Sequence, residues 1–343
     1  MVSVLIVTYN SEKFILRCLE SIARQSCAAL EIIVVDNASK DSTVELLSKS
    51  SLCLHVIRNQ DNAGFAAAQN QAIRRSKGEW LLCLNPDAVL RPEFITNLVA
   101  LGTHHPQVGS LCGKLLRWQP DAQPEFSDAL DSTGMYFTRN LRHFDRGGEM
   151  KDVGQYAQPE YVFGASGAAV LFRREAVEDL SFEGQFFDED FFAYREDADL
   201  AWRAQIFGWE CLYCPTAIGW HVRRVTPSRF SQLPLFINWH SVKNRFLMRV
   251  ANISPRLYLR LFIPTTSRDL LIVGYCLLRD WRLLSALLFP LTHARRLLRK
   301  RRWVQAHRKI SDQELAFWFH DQPRSQPVSQ PTGMHRKVTF HAP

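Results

Sequence analysis

The sequence predicts an α/β fold: a doubly wound, mostly parallel sheet covered by helices, followed by a C-terminal helical extension. Three observations predict it. Short β-branched apolar runs alternate with amphipathic helical patterns through the N-terminal part of the chain. Each run ends in polar residues of loop type, as expected where a parallel sheet presents a ligand site beyond the carboxyl ends of its strands. From residue 231 the pattern becomes purely helical and strongly basic.

Residues 2–8 are a continuous apolar run, followed by Tyr9, Asn10 and Ser11 and then by the helical spacing Phe14, Ile15, Cys18, Leu19, Ile22. Residues 31–36 repeat the scheme, with a polar loop at 37–41 and Asp41 or Ser42 capping a helix to about residue 49. Residues 54–58 predict a third strand, 63–76 a helix and 80–84 a fourth strand. The residues after these strands are Thr8, Tyr9 and Asn10, then Asp36 and Asn37, then 59–62, then Asn85, Pro86 and Asp87. No glycine-rich phosphate loop follows the first strand, which argues against a nicotinamide enzyme or an NTPase.

With 46% hydrophobic and 22% charged residues the chain is globular rather than disordered. Its net charge of +8 conceals two halves. Residues 1–222 carry 20 Lys and Arg against 29 Asp and Glu, whereas 223–309 carry 19 against 2. An acidic body and a basic arm imply different partners. The eight cysteines lack the spacing of a disulfide scaffold and read as reduced thiols. Cys211 and Cys214 form a CxxC on a strand, where an offset of three points them to opposite faces, so they read as structural. No basic region precedes the first strand, which argues against a cleaved signal peptide and for a cytoplasmic catalytic body.

The stretch FFDEDFFAYREDADLAWR, residues 186–203, interleaves six carboxylates with aromatic residues. Burying repelling carboxylates beside aromatics is costly unless a cation or a proton-transfer task uses the charge. The plainer reading is a capped surface helix in which Asp199 pairs with Arg203 at i,i+4. Asp87, at the end of a buried strand, is a natural ligand for Mg²⁺ or Mn²⁺, although Asn-Pro-Asp is also a common turn. Residues 115–161 are loosely patterned. They read as a variable insertion, with Trp118, Tyr136, Phe137 and Phe144 either stacking on a ligand or filling core. Gly164 to Gly167 allow close approach of the backbone to a ligand or make a tight turn. Helix is predicted at 197–207, stopped by Gly208, with strands at 209–214 and 217–221.

The ordered motifs VSVLIVTYN, VVDNASKDST, NAGFAAAQNQAI, LLCLNPDAVL, FGASGAAVLFRR and FFDEDFFAYREDADLAWR resemble those of family 2 inverting glycosyltransferases with a GT-A fold, rhamnosyltransferase-like members in particular. The resemblance runs from about Val2 to His221. It implies that Asp36 hydrogen-bonds a nucleobase in a pocket lined by Thr8, Tyr9 and Asn10, and that Asn62, Gly64 and Phe65 close over the nucleoside. It implies that Asp87 binds the metal, with His221 completing the site and Arg223 and Arg224 holding the diphosphate. Asn85 stands where the family's metal motif begins with an acid, so one ligand carboxylate is missing. Asp197 matches the family's general base, Glu196 supports it, and Asp188 and Glu189 shape the acceptor side.

The resemblance further implies a metal-dependent enzyme that moves one sugar, rhamnose favoured, from a nucleoside diphosphate donor such as dTDP-rhamnose to a saccharide acceptor. The chain has no QxxRW motif and no apolar run of ~20 residues, features of the processive synthases of this fold. Within the arm, the apolar spacing from Leu270 to Leu291 beside Arg295, Arg296, Arg299, Lys300, Arg301 and Arg302 suits a helix lying on an anionic membrane surface. That would place the protein on the inner face of the cell membrane with a lipid-linked acceptor in envelope polysaccharide synthesis. The alternative is a helical hairpin packed on the acidic body; no base-reading module supports nucleic acid. The expected organisation is a nucleotide-sugar half at 1–105, a catalytic half at 106–230, the arm at 231–320 and a disordered tail at 321–343. Two rivals to this function are a nucleotidyltransferase, which would show a glycine-rich basic first loop, and a non-catalytic nucleotide-sugar-binding scaffold.

Overall fold

A computed structural model describes residues 1–27, 29–119, 127–223 and 234–328. Four parallel strands build the first half of the sheet: β1 (Val2–Thr8), β2 (Leu30–Asp36), β3 (Leu54–Arg58) and β4 (Trp80–Leu84), with β1 between β2 and β4. Helices α1 (Ile15–Ala23), α2 (Thr43–Ser48) and α3 (Phe65–Arg75) make the crossovers. Every residue of β1 and β4 is buried, which is why these strands read as unbroken apolar runs. Alternation along β1 sends Val4 and Ile6 into one core, with α1 and Leu19, and Leu5 and Val7 into the other, with α3 and Ala68.

The second half begins with β5 (Ala88–Leu90), α4 (Phe94–Thr103) and the long β6 (Val108–Arg117). Short strands β7 (Leu130–Ser132), β8 (Met135–Phe137), β9 (His143–Asp145) and β10 (Glu160–Val162) occupy the loosely patterned region. Then come β11 (Ala169–Arg173), α5 (Arg174–Asp179), α6 (Glu196–Ile206) and β12 (Glu210–His221). Two strands expected at 209–214 and 217–221 are one: β12 stays paired with β6 across a register shift between Cys214 and Ile218. The bulge accommodates Pro215, which has no N–H for the ladder. β11 is antiparallel to β4 and to β6, joining the halves in the order β3-β2-β1-β4-β11-β6-β12-β10.

The arm comprises α7 (Leu235–Asn252), α8 (Pro255–Arg260), α9 (Phe262–Leu278), α10 (Leu284–Thr292), α11 (Ala294–Ala306) and α12 (Asp312–Ala316). It packs on the acidic body. Leu247, Met248, Leu297 and Val304 join the core that contains Ala198 and Trp202 of α6. Contrary to the membrane-facing expectation, Arg296 and Lys300 turn inward onto Asp188, Asp190 and Asp199. Part of the attraction between the acidic body and the basic arm is therefore satisfied inside the molecule, through Arg296, Arg299, Lys300 and Lys309. The expectation of a disordered tail is corrected for 321–328: β13 (Gln326–Pro327) pairs with β10, and Ser325 donates to Glu160 at 2.7 Å. A proline on an edge strand leaves no ladder bond unmade, so a polar, proline-bearing segment can still end the sheet. Residues 329–343 lie outside the described residues.

Candidate active site

At the carboxyl ends of β1 and β2, Thr8 Oγ1 donates to Asp36 Oδ1 at 2.9 Å, Ser39 Oγ donates to the same oxygen at 2.5 Å, and Ser39 N–H donates to Oδ2 at 3.0 Å. Asp36 is only 2% exposed and Thr8 is fully buried. Thr8 thus supports Asp36 rather than lining a pocket, and Asp36 shapes the loop after β2. Tyr9 and Asn10 are exposed beside it, with Asn10 in the left-handed region and bonded to Lys40 N–H and Ser39. Asn62 Oδ1 accepts from Gly64 N–H at 3.0 Å, and Asn37 donates to Gly64 O at 3.1 Å. Gly64 has φ +88°, and a Cβ there would lie 2.6 Å from the Phe192 ring, so the nucleoside-side loop abuts the segment that leads to Asp197.

Beyond β4, Asp87 faces His221 at the end of β12, with Oδ1 and Nε2 3.4 Å apart. His221 Nδ1 is 2.9 Å from Asp131 Oδ2. Burial disfavours the imidazolium, yet hydrogen bonds to Asp131 and Asp87 and the charges of both lift His221 to about 9. Asp131 is itself buried, but His221 and Arg223 hold it down at about 2. Arg223 ties this end to the next: its Nε is 2.8 Å from Asp131 Oδ1 and its guanidinium is 2.6 Å from Asp145 Oδ2. Arg223 is therefore committed to two carboxylates rather than free for a diphosphate. Arg224 lies outside the described residues. Asn85 follows β4, its N–H bonded to Ala168 O at 2.8 Å.

Asp197 opens α6. Gly167 N–H donates to its Oδ2 at 3.0 Å and Ala198 N–H to its Oδ1 at 2.8 Å. Burial pushes its pKa up, against the Gly167 bond, and the nearby charge of Asp145 adds to the rise. Glu196 is buried with Oε2 unpaired, and burial together with the charge of Asp197 raises it to about 8. Burial thus favours the protonated form of Glu196, whose Oε2 has no donor, while the two N–H donors on Asp197 make it the carboxylate of the pair better placed to carry the charge. The glycines of 164–167 serve this helix: a Cβ on Gly164 would lie 2.3 Å from Ala201 of α6. Ahead of Asp197, Phe192, Tyr194 and Arg195 all adopt positive φ, a costly run for residues with side chains. From α7, Asn244 Nδ2 bonds the carbonyls of Phe191, Ala193 and Tyr194 at 3.0, 2.8 and 2.7 Å, and Lys243 Nζ bonds Asp190 O at 2.5 Å.

The remaining carboxylates of 186–203 have structural partners. Lys300, 1% exposed, donates to Asp188 Oδ2 at 2.6 Å and Asp199 Oδ2 at 2.9 Å. Arg296 donates to Asp188 Oδ1 at 2.7 Å and also binds Asp190. Asp188 is therefore a buried anchor for α11, not an acceptor-facing group, and Glu189 binds Asn70 of α3 at 3.0 Å. Asp199 is only within 4.0 Å of Arg203; its close partners are Lys300 and Asn252, the latter at 2.7 Å, because Arg203 turns to the carbonyl of Phe186. Phe137 and Trp118 are core, while Tyr136 and Phe144 stack on each other with centroids 5.7 Å apart.

The site thus runs from Asp87 through His221, Asp131, Arg223 and Asp145 to Asp197. Sequence reasoning missed Asp131 and Asp145, which sit on three-residue strands in the loosely patterned region. Asp87 and His221 fit a divalent cation once His221 gives up the Nε2 proton that its pairing with Asp87 favours: an oxygen and an imidazole nitrogen then face one another, and Asp131 orients the ring from behind. Among the described residues no cluster of three or more His, Cys, Asp or Glu could hold a metal, so other ligands would come from substrate and water.

Residues 3–181 match Glycosyl transferase family 2. An uncharacterized glycosyltransferase of Haemophilus influenzae is 33% identical over 108 residues, covering 32% of this chain and 36% of that protein. The poly-beta-1,6-N-acetyl-D-glucosamine synthase of Staphylococcus aureus is 23% identical over 225 residues, covering 64% of this chain and 49% of that one. The chain thus spans half or less of the length of these relatives. Among solved structures, S. aureus TarS 1-349 in complex with UDP-GlcNAc superposes with TM-score 0.53 at 17% identity, covering 89% of this chain and 90% of that one. GalNAc-T7 with UDP, GalNAc and Mn²⁺ superposes with TM-score 0.54 at 15% identity, covering 73% and 47%. The fold is of the GT-A type, and with more than half its length matched, the chain belongs to glycosyltransferase family 2.

Proposed function

We propose that this protein transfers a single sugar, with inversion, from a nucleoside diphosphate sugar to a hydroxyl of a lipid-linked saccharide, with dTDP-rhamnose as the favoured donor. The observation that carries it is the linked array in which Asp197, an ionisable carboxylate of raised pKa, stands across Arg223 from the Asp87–His221 pair. Family membership and structural neighbours bound to UDP-GlcNAc or UDP support a nucleotide-sugar donor, and one of those neighbours contains Mn²⁺.

Asp87 and His221 would hold Mg²⁺ or Mn²⁺, which when bound neutralises the charge that develops on the departing diphosphate. Tyr9 offers an exposed ring to the base, and the loop from Asn62 to Phe65 covers the nucleoside. The Gly167 and Ala198 N–H groups fix the Asp197 carboxylate. It takes the proton of the attacking hydroxyl, and the raised pKa makes it a stronger base than an exposed aspartate. Neutral Glu196 avoids a second charge beside it.

Association with an anionic bilayer falls to α9 and α10 rather than to the arginines of α11. Leu270, Leu271, Leu277 and Leu288 are exposed there, Leu278 is 85% and Trp281 74% exposed, and no described helix is long and apolar enough to cross a membrane. Arg256, Arg260, Arg279 and Arg295 flank this face, exposed and without an acidic partner among the described residues, which complements anionic headgroups on the cytoplasmic side. The transfer reading is tested by turnover of a panel of nucleotide sugars with Mg²⁺ or Mn²⁺. Donor hydrolysis or transfer should occur with at least one of them and be abolished in Asp87→Asn; Asp197→Asn should bind donor and fail to transfer. Full transfer by Asp197→Asn rejects the assignment of the base.

A further inference from the structure

The C-terminal arm brings a cluster of guanidinium groups to the loop before Asp197: Arg245 donates to Asn140 O at 3.0 Å and Leu141 O at 3.3 Å, next to Arg142, while Arg195 lies 3.2 Å from Nδ1 of the following His143. Arg142 lies on the β8–β9 connection, Arg195 immediately precedes Glu196, Arg245 belongs to α7 and Arg268 to α9. Arg245 is paired with Asp269, which also serves Arg249. Arg195 hydrogen-bonds only neutral groups, Ser241 O at 3.2 Å, Ser241 Oγ at 3.4 Å and His143 Nδ1 at 3.2 Å, although the charge of Asp197 also reaches it. Arg142 lies over the Phe144 ring at 4.5 Å and has no hydrogen-bond or ion-pair partner for its guanidinium among the described residues. Arg268 likewise has none, and its Nε is buried and unpaired.

These groups repel one another. Burial and the charge of Arg268 lower the pKa of Arg142; burial, Arg245 and Arg142 depress Arg195 to about 9. His143, buried among them, is held well below the usual histidine range by burial and by Arg195 and Arg142. Collecting half-buried cations that outnumber the acids beside them, with Asp269 shared by Arg245 and Arg249 and none for Arg142 or Arg268, is unfavourable, and an orphaned buried donor adds to the cost. Both penalties vanish if an anion with several oxygens sits between the forks. Guanidinium pairs suit phosphate, which accepts two parallel N–H bonds from each.

Two further observations say which phosphate. The donor's diphosphate belongs at the Asp87–His221 end of the site, whereas this cluster adjoins Asp197 through Arg195, at the end where the acceptor must enter. In addition, Arg268 lies two residues before the exposed pair Leu270 and Leu271 on α9. One helix therefore contributes both to the guanidinium cluster and to the apolar face assigned to the bilayer.

We propose that Arg142 and Arg268, backed by Arg195 and Arg245, form a binding site for the phosphate of the acceptor, separate from the donor site. This rests on the lipid-linked acceptor reading and specifies what recognises the lipid's headgroup. A polyprenyl phosphate or diphosphate carrier would place its charge in the cluster and its chain along α9.

The test uses the full chain in EDTA, so that no metal-held phosphate contributes. Inorganic phosphate and pyrophosphate are titrated by calorimetry, and flotation is measured with phosphatidylcholine vesicles with and without a polyprenyl phosphate. Wild type should bind pyrophosphate saturably, and Arg142→Gln and Arg268→Gln should each weaken it about 10- to 100-fold, as expected for a lost charge-assisted pair. Arg268→Lys, which keeps the charge but loses the fork, should fall between. Polyprenyl phosphate should increase recovery of wild type on vesicles but not of the double Gln variant. Equal anion affinity in wild type and variants overturns the site. Anion binding that responds to the substitutions without any gain from polyprenyl phosphate overturns the acceptor assignment. Turnover of a nucleotide sugar by wild type is read separately, so failure of the transferase reading is distinguishable from failure of this one.

Discussion

Asn244 donates to the carbonyl oxygen of Tyr194 at 2.7 Å, a bond that runs from the C-terminal arm into the loop presenting Asp197. The same amide bonds the carbonyls of Phe191 and Ala193. Phe192, Tyr194 and Arg195 hold left-handed backbone conformations that the chain would abandon if left alone. Asn244→Ala should therefore cost about 1–3 kcal/mol of stability, the penalty for buried carbonyls left without donors. Its effect on transfer should be larger, with kcat at least about tenfold down and KM for the nucleotide sugar changed less, because Asn244 bonds only the Asp197 loop and reaches the nucleoside side indirectly, through Phe192 against Gly64. Steady-state kinetics beside a thermal melt check this; a loss of kcat no greater than the loss of folded protein rejects it.

Lys300 is a single cation between two buried carboxylates, Asp188 and Asp199. Lys300→Met keeps the volume and removes the cation the two acids share, leaving Asp188 to Arg296 and Asp199 to the neutral amide of Asn252, so a loss of about 3–5 kcal/mol is expected, as when one member of a buried pair is removed. Urea denaturation measures it. Asp188 is buried, yet Lys300 and Arg296 hold its pKa far below the usual carboxylate range in the folded protein. The stability it contributes is therefore present above its unfolded pKa and lost as pH falls below that value. Lys300→Met should show a shallower loss of stability between about pH 5 and pH 3 than wild type.

Glu196 has the opposite sign. Its pKa is raised from 4.5 to about 8 by burial and by Asp197. The unfolded chain ionises near 4.5 while the folded protein keeps the proton, so rising pH across that window favours unfolding. Glu196→Gln should melt with wild type at pH 4 and progressively above it toward pH 8, by about 2 °C for each kcal/mol relieved. A constant difference across this range would show that Glu196 is not protonated in the folded state.

The face formed by Leu270, Leu271, Leu277 and Leu278 should carry membrane association. Replacing these four by Ser should remove binding to vesicles containing anionic lipid while leaving the melting temperature within a few degrees, since none of the four is buried. Equal flotation of variant and wild type would refute the assignment.

Much of the sheet was legible because strands buried on both faces leave unbroken apolar runs: 2–8 and 80–84 appear with the expected limits, as does 54–58, a partly exposed edge strand marked by its apolar Leu54, Val56 and Ile57 rather than by burial. Asp197, Asp87 and His221 could be picked out by their motifs or by their place at strand ends. What stayed hidden is long-range choice of partner. Asp199 has a well-spaced arginine four residues on, yet a lysine 101 residues away displaces it, because a compact ammonium reaching two buried acids compensates more charge than a distant guanidinium. Asp131 and Asp145 gave no local signal either, since three-residue strands carry no periodicity and their importance comes from Arg223.

All three bonds from Asn244, and that from Lys243, end on main-chain oxygens of the 190–194 segment. The loop's main-chain course is thus inherited from α7, and the Phe192 ring is held by the same helix, against Phe236 and His240. Selection, or a designer, that alters α7 therefore moves the backbone of 190–194 and the Phe192 ring together, and with them whatever docks beside Asp197.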